Sequence, residues 1–194
     1  TGPFSLRDLY TMRCFSHASF VLGFTGNDDA EAIAKLIASP LSKSLLTAIT
    51  DGPPRYRLEF VGHGHRRGAL REIVSRAYAL CPDLLNDSRR APWSVDVYAL
   101  GAGCLVEVRP RFAPDPRLFY RRDDVDAASH PPLAACLARV AGPCENEIVW
   151  DPFCGSALEL IERSLLGGVK KICGTDLEAA AIAIARDNVA AAKL

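Results

Sequence analysis

Asp151, Gly155, Ser156 and Asp176 are the residues of this 194-residue chain whose types and spacing could act together chemically. The apolar run Ile148-Val149-Trp150 ends in Asp151-Pro152-Phe153-Cys154-Gly155-Ser156, and LELIERSLL follows with a helical apolar spacing. A second run, KICGTD, ends in Asp176, 25 residues after Asp151. That separation is one βα unit plus one strand. Ligands of open α/β sheets bind outside the carboxyl ends of the strands. Gly155 permits a positive φ and a close backbone approach, and the helix that follows leaves N–H groups free at its first turn. An acid at the end of the second strand can accept hydrogen bonds from both hydroxyls of an adenosine ribose.

The charges narrow the ligand. A dinucleotide fingerprint needs GxGxxG against its phosphates. This turn has one glycine, and the Asp151 carboxylate would repel a diphosphate but suit a sulfonium or an amino group. The residues therefore favour S-adenosylmethionine over NAD, with a dinucleotide-dependent oxidoreductase as a competing reading. Cys154 beside the turn reads as a small side chain, although a helix N-terminus can activate a thiol.

The elements that position these residues follow from the pattern. HPPLAACLARVAG (130–142) reads as a helix with prolines in its first turn and a glycine stop, with His130 as its cap. Strand, helix, strand and Ala-rich helix then begin a doubly wound parallel sheet over 130–194. Residues 113–129, rich in Pro, Arg and Asp, read as a linker. Upstream, residues 53–112 read as strand (56–62), amphipathic helix (69–81) and a hairpin joined at Gly101-Ala102-Gly103. Residues 1–52 read as an N-terminal α/β subdomain. It has a strand within 15–24, a helix capped at Asn27-Asp28-Asp29 and stopped by Pro40, and a second short helix. The expected fold class is α+β followed by α/β.

Composition is that of an ordinary soluble protein, with 49% hydrophobic and 24% charged residues. No stretch approaches a membrane span, no signal peptide is evident, and a start at Thr1 implies processing or a longer parent. The seven cysteines are irregularly spaced without a CxxC pair, so no metal site is expected and reduced thiols point to the cytoplasm. The net charge is zero, but the middle is basic. Residues 55–90 hold eight Arg against four acids. His63, His65, Arg66, Arg67, Arg71, Arg89 and Arg90 read either as solvated loops or as contacts to RNA phosphates.

DPFCGSA closely resembles the first motif of class I RNA and DNA methyltransferases, and GTDLE resembles their second, acidic motif. HPPLAACLARVAG resembles the helix before the first motif. The basic unit, with LLNDSRRAPWSVDVY, resembles a THUMP domain, an RNA-binding module. The chain as a whole resembles the N-terminal two-thirds of THUMP-containing guanosine-N2 methyltransferases acting on tRNA or rRNA. The resemblance implies a THUMP-like unit followed by the first half of a Rossmann-like fold. It implies S-adenosylmethionine contacts from Asp151, Pro152, Phe153, Gly155, Ser156, Glu162, Asp176 and Leu177. Glu162 also reads as a solvated helix face. Two departures stand out. Ala157 replaces the second turn glycine, and the catalytic Pro-Pro-Tyr-type motif is absent from the 194 residues. The alternative is a non-catalytic RNA-binding module with a degenerate cofactor fold.

Overall fold

The computed structural model describes residues 5–26, 29–62, 66–101, 103–112 and 115–194. The chain divides into two compact units, residues 17–113 and residues 1–16 with 114–194. A single helical turn, α1 (Leu6–Leu9), lies in the discontinuous unit.

The 17–113 unit is a five-stranded sheet with helices. It runs β1 (Phe20–Thr25), α2 (Ala30–Ile37), α3 (Pro40–Ala48), β2 (Arg55–Val61), α4 (Arg67–Leu80), β3 (Leu85–Asn86), β4 (Trp93–Leu100) and β5 (Gly103–Pro110). Asp29 caps α2 by accepting from the Ala32 amide. Pro40 begins α3, where its missing N–H costs nothing, and Ser39 caps that helix. The sheet order is β1-β5-β4-β2-β3, with β2 parallel to both β4 and β3 and the other pairs antiparallel. Strand alternation sends Tyr56, Leu58, Val95, Val97, Val106 and Val108 into a core shared with Ile33, Ile37, Leu46 and Ile73 from the helices. The opposite phase carries Ser94, Asp96, Glu107 and Arg109. Asp96 is buried and is satisfied by the Ser94 hydroxyl and the Arg109 guanidinium. Because β1 pairs with Cys104 to Val108 of β5, the segment before residue 52 and the segment after it share one sheet. The boundary expected at 52 therefore falls inside a unit. Gly103 allows that pairing, since a Cβ there would lie 2.0 Å from the Thr25 carbonyl oxygen.

The second unit contains a 3-10 turn (Pro116–Leu118), α5 (Pro131–Val140), β6 (Glu147–Asp151), α6 (Leu158–Leu165), β7 (Val169–Gly174) and α7 (Ala179–Ala191). β6 and β7 are parallel, as the βαβ pattern requires. Val149 and Ile172 face a core built from Tyr120, Ala134, Leu158, Leu160, Ile161 and Ala185. The alternate residues of β6, Ile148 and Trp150, are 62% and 63% exposed. Residues 115–129, within the linker expected at 113–129, belong to this unit, and Tyr120 is fully buried in its core.

Two arginines tie the ends of this unit together. Arg117, buried beside Asp115, donates to the carbonyls of Met12, Phe15 and Ser16. Arg13 donates through Nε and Nη2 to the Glu162 carboxylate at 2.7 and 2.8 Å, and Tyr120 donates its hydroxyl to the same carboxylate.

Candidate functional site

A cleft of about 830 Å³ opens at the carboxyl ends of β6 and β7, within the size range of small-molecule sites. Three chain segments line it. The first is the turn between β6 and α6, the second is the turn between β7 and α7 with the first helical turns, and the third is residues 124–129.

The first turn is closed by backbone bonds to the second. The Thr175 amide donates to the Asp151 carbonyl (3.0 Å) and the Cys154 amide to the Thr175 carbonyl (2.9 Å). Asp151 accepts from the Phe153 amide at 2.9 Å. Gly155 has φ +48°, a conformation in which glycine avoids the Cβ penalty. Its amide donates to Asp176 Oδ2 at 2.9 Å, while Asp176 Oδ1 accepts from the Glu178 amide at 3.0 Å. Those backbone N–H groups of Glu178 and Gly155 hold the Asp176 carboxyl below the usual aspartate range, so it is ionised at neutral pH. Burial, and then the nearby Asp151 and Asp176, push the Cys154 thiol up, so it is a neutral filler rather than a nucleophile. Gly174 makes room for that sulfur. A Cβ there would meet Cys154 Sγ at 2.8 Å.

Asp124, Asp126, Asp151, Glu159, Asp176 and Glu178 line the cleft, and no Lys, Arg or His does so among the described residues. Such a field repels phosphate and suits a cationic ligand with hydroxyls to donate to carboxylates. Among the described residues, no cluster of three or more His, Cys, Asp or Glu could hold a metal ion.

Asp151, Phe153, Gly155, Ser156 and Asp176 all line the cleft. Ser156 is buried, and its hydroxyl donates to Asp124 Oδ1 at 2.8 Å. Pro152 and Leu177 do not line the cleft, and Leu177 is 96% exposed. Glu162 is placed elsewhere. It is 2% exposed, and its oxygens are taken by Arg13 and Tyr120, so it neither lines the cleft nor forms a solvated face. His130 occupies the N-cap of α5 but makes no side-chain capping bond.

The basic residues fall into two sets. His63 and His65 lie outside the described residues. Arg66, Arg67 and Arg71 sit at the start of α4, beyond the carboxyl end of β2, with the Arg66 guanidinium over the Phe60 ring at 5.4 Å. Arg89 and Arg90 follow Asp87, whose amide donates to Tyr56 at the amino end of β2. The seven-residue strand between those ends spans about 20 Å, so the two sets do not form one patch.

Sequence reading missed the 124–129 wall and Asn188. The acid run Asp123–Asp126 was the available signal for the first. Asn188 carried none, being one polar residue in an Ala-rich helix.

Residues 119–194 match the RMKL-like methyltransferase domain family, UPF0020. A comparison with curated proteins finds no match. Among solved structures, the chain is similar to TrmN from Thermus thermophilus, at 19% identity and a TM-score of 0.71, covering all of this chain and 59% of that one. It is also similar to a predicted N6-adenine-specific DNA methylase from Listeria monocytogenes, at 17% identity and a TM-score of 0.68, covering 94% of this chain and 59% of that one. A third neighbour is SMU.472 complexed with SAH, at 15% identity and a TM-score of 0.62, covering 90% of this chain and 58% of that one. At these identities the likeness concerns the fold. The chain thus spans about three-fifths of the length of these solved neighbours, and its residues 119–194 are similar to a methyltransferase domain.

Proposed function

We propose that this chain binds S-adenosylmethionine in the 124–184 cleft and grips tRNA or rRNA through its basic unit, as part of a guanine-N2 methyltransferase. The observation that carries the donor assignment is the acidic, phosphate-repelling cleft closed by Asp176 on the Gly155 amide. The residues fit the group. Asp176 has ionised oxygens for ribose hydroxyls, Asp151 presents a carboxylate to a cationic end, and Phe153 is an exposed ring at the rim. The bound donor supplies an electrophilic methyl group. The chain orients it, and its exclusion of phosphate discriminates against dinucleotides. The SAH bound to SMU.472 supports the same reading.

For RNA, the support is the arginine supply of residues 55–90 and the THUMP-like sequence pattern. Guanine-N2 specificity rests on the resemblance of the chain as a whole to THUMP-containing guanosine-N2 methyltransferases. Free thiols and the lack, among the described residues, of a helix long and apolar enough to cross a membrane accord with a cytoplasmic role. Ala157 in place of the turn glycine of the resembled motif motivates a second reading, an RNA-binding module with a vestigial cleft.

Calorimetric titration with S-adenosylmethionine and NAD separates the readings. Donor binding that Asp176→Ala weakens at least tenfold supports the first, on the basis of lost charge-assisted bonds of about 1.5–3 kcal/mol each. No donor binding with intact tRNA binding supports the second. Tighter binding of a DNA duplex than of tRNA would sink the RNA assignment.

A further inference from the structure

The third wall of the cleft, residues 124–129, has no regular secondary structure, so something else must hold it in place. Asn188, on the last turns of α7, is fully buried. Its Oδ1 accepts from the Arg122 amide at 2.8 Å and from the Asp123 amide at 3.4 Å. Its Nδ2 donates to the Asp123 carbonyl and to the Ser156 carbonyl, each at 3.0 Å. Two acceptor sites and two donors are all that a primary amide offers, and here each is used. The amide spans the 122–123 backbone and the cofactor turn, from the helix whose first turns form the second wall. The Ser156 hydroxyl then makes a second tie to the same segment through Asp124. Arg121 closes the segment on itself by pairing with Asp124.

We propose that Asn188 is a positioning residue for the donor cleft: it sets the spacing between the 124–129 wall and the turn that carries Gly155 and Ser156. It touches no ligand and is not a catalytic residue. The proposal rests on the donor-binding reading above. No other side-chain type of this size both donates twice and accepts twice in one plane, so the residue is specific rather than merely polar. Asn188→Asp keeps the acceptor half and turns a carboxylate oxygen toward two carbonyls. Asn188→Ala removes both halves.

The test is calorimetric titration of the full chain with S-adenosylmethionine, run beside thermal melting. Wild type that does not bind the donor defeats the donor reading itself, and with it this inference. If wild type binds, Asn188→Ala and Asn188→Asp are each expected to weaken Kd about tenfold or more in protein that remains folded. Val189→Ala, which loosens the same helix from its core side, is expected to lower Tm while leaving Kd within twofold. Equal weakening by Val189→Ala, or unchanged Kd in both Asn188 variants, overturns the proposal. Should the Asn188 variants not fold, hydrogen exchange on wild type decides. The Arg122 and Asp123 amides are expected to exchange at least tenfold more slowly with donor bound, and unchanged exchange overturns the proposal.

Discussion

Replacing Glu162 by alanine tests whether that residue is a ligand or a tie within the fold. Its carboxylate is buried and receives two bonds from Arg13 and one from Tyr120. The side chain of Arg13 is largely buried, and Tyr120 is wholly so. Truncation strands a guanidinium without its counter-charge and a phenol hydroxyl without its acceptor. Removing one partner of a buried pair costs about 3–5 kcal/mol. In a unit of this size each kcal/mol moves Tm by about 4–8 °C. The expected fall is therefore at least about 12 °C by calorimetric melting. Restoring neutrality is expected to recover most of it. The triple variant Arg13→Met, Glu162→Met, Tyr120→Phe removes the stranded guanidinium and hydroxyl, leaving only the Arg117 carbonyl without its Arg13 donor, and apolar replacements of buried pairs are often neutral or better. Donor affinity, measured below the melting range, is expected to stay within twofold in the triple variant. A Glu162→Ala protein that melts normally but loses donor binding would refute this reasoning and restore the sequence expectation of a direct cofactor contact.

Two further perturbations follow from the core. Burial, with a smaller contribution from Cys81, pushes the Tyr56 hydroxyl up to about 12. The unfolded chain releases that proton near its ordinary value of about 10, so the stabilisation is complete below pH ~10 and lost as pH rises to ~12. The loss is about 3 kcal/mol for the 17–113 unit. Denaturant titrations at pH 9 and 11.5 read about 2 kcal/mol of it, and Tyr56→Phe is expected to flatten the difference. Gly174→Ala drives a methyl to 2.8 Å from Cys154 Sγ and 3.1 Å from Leu160 Cδ1. Overpacking of this kind costs about 1–3 kcal/mol, and adding Cys154→Ala is expected to recover part of it on chemical denaturation.

The part of the site that could be read in the sequence is the part built from neighbours in sequence. Asp151 to Ser156 form one strand end and one turn, and glycine at 155 announces the backbone conformation it adopts. Asp176 followed because a βα unit has a nearly fixed length. The tie at Glu162 was not legible, because its partner Arg13 lies 149 residues away and no local pattern records such a pair. The 124–129 wall escaped because a segment without periodicity looks like a linker whether or not it packs. The arginines were grouped by sequence, but a strand separates Arg66, Arg67 and Arg71 from Arg89 and Arg90. Helix α3 was legible, and Pro40, expected as the stop of the helix before, also opens α3 in its first turn. β3, two residues long, carried too little pattern to register.

Ala157 bears on whether the cleft is vestigial, because the methyltransferase motif that DPFCGSA resembles has glycine there. Its φ of +67° is left-handed, and it stands as the N-cap of α6 with its methyl buried in the core. An L-residue in that conformation costs about 1–2 kcal/mol. Against this, the buried methyl is worth about 0.8 kcal/mol, and alanine rather than glycine limits the unfolded chain by about 0.4–1 kcal/mol. The contributions nearly cancel. Ala157→Gly is therefore expected to change stability by less than about 1 kcal/mol and Tm by no more than a few degrees, with donor affinity within twofold. The methyl sits on the core side of the turn and is absent from the cleft lining. The departure from glycine is then an exchange of backbone strain for packing, which leaves the binding surface as it was. A large gain in donor affinity on introducing glycine would show the opposite: that the methyl had displaced the turn from its binding geometry and that the cleft of this chain had begun to lose its ligand.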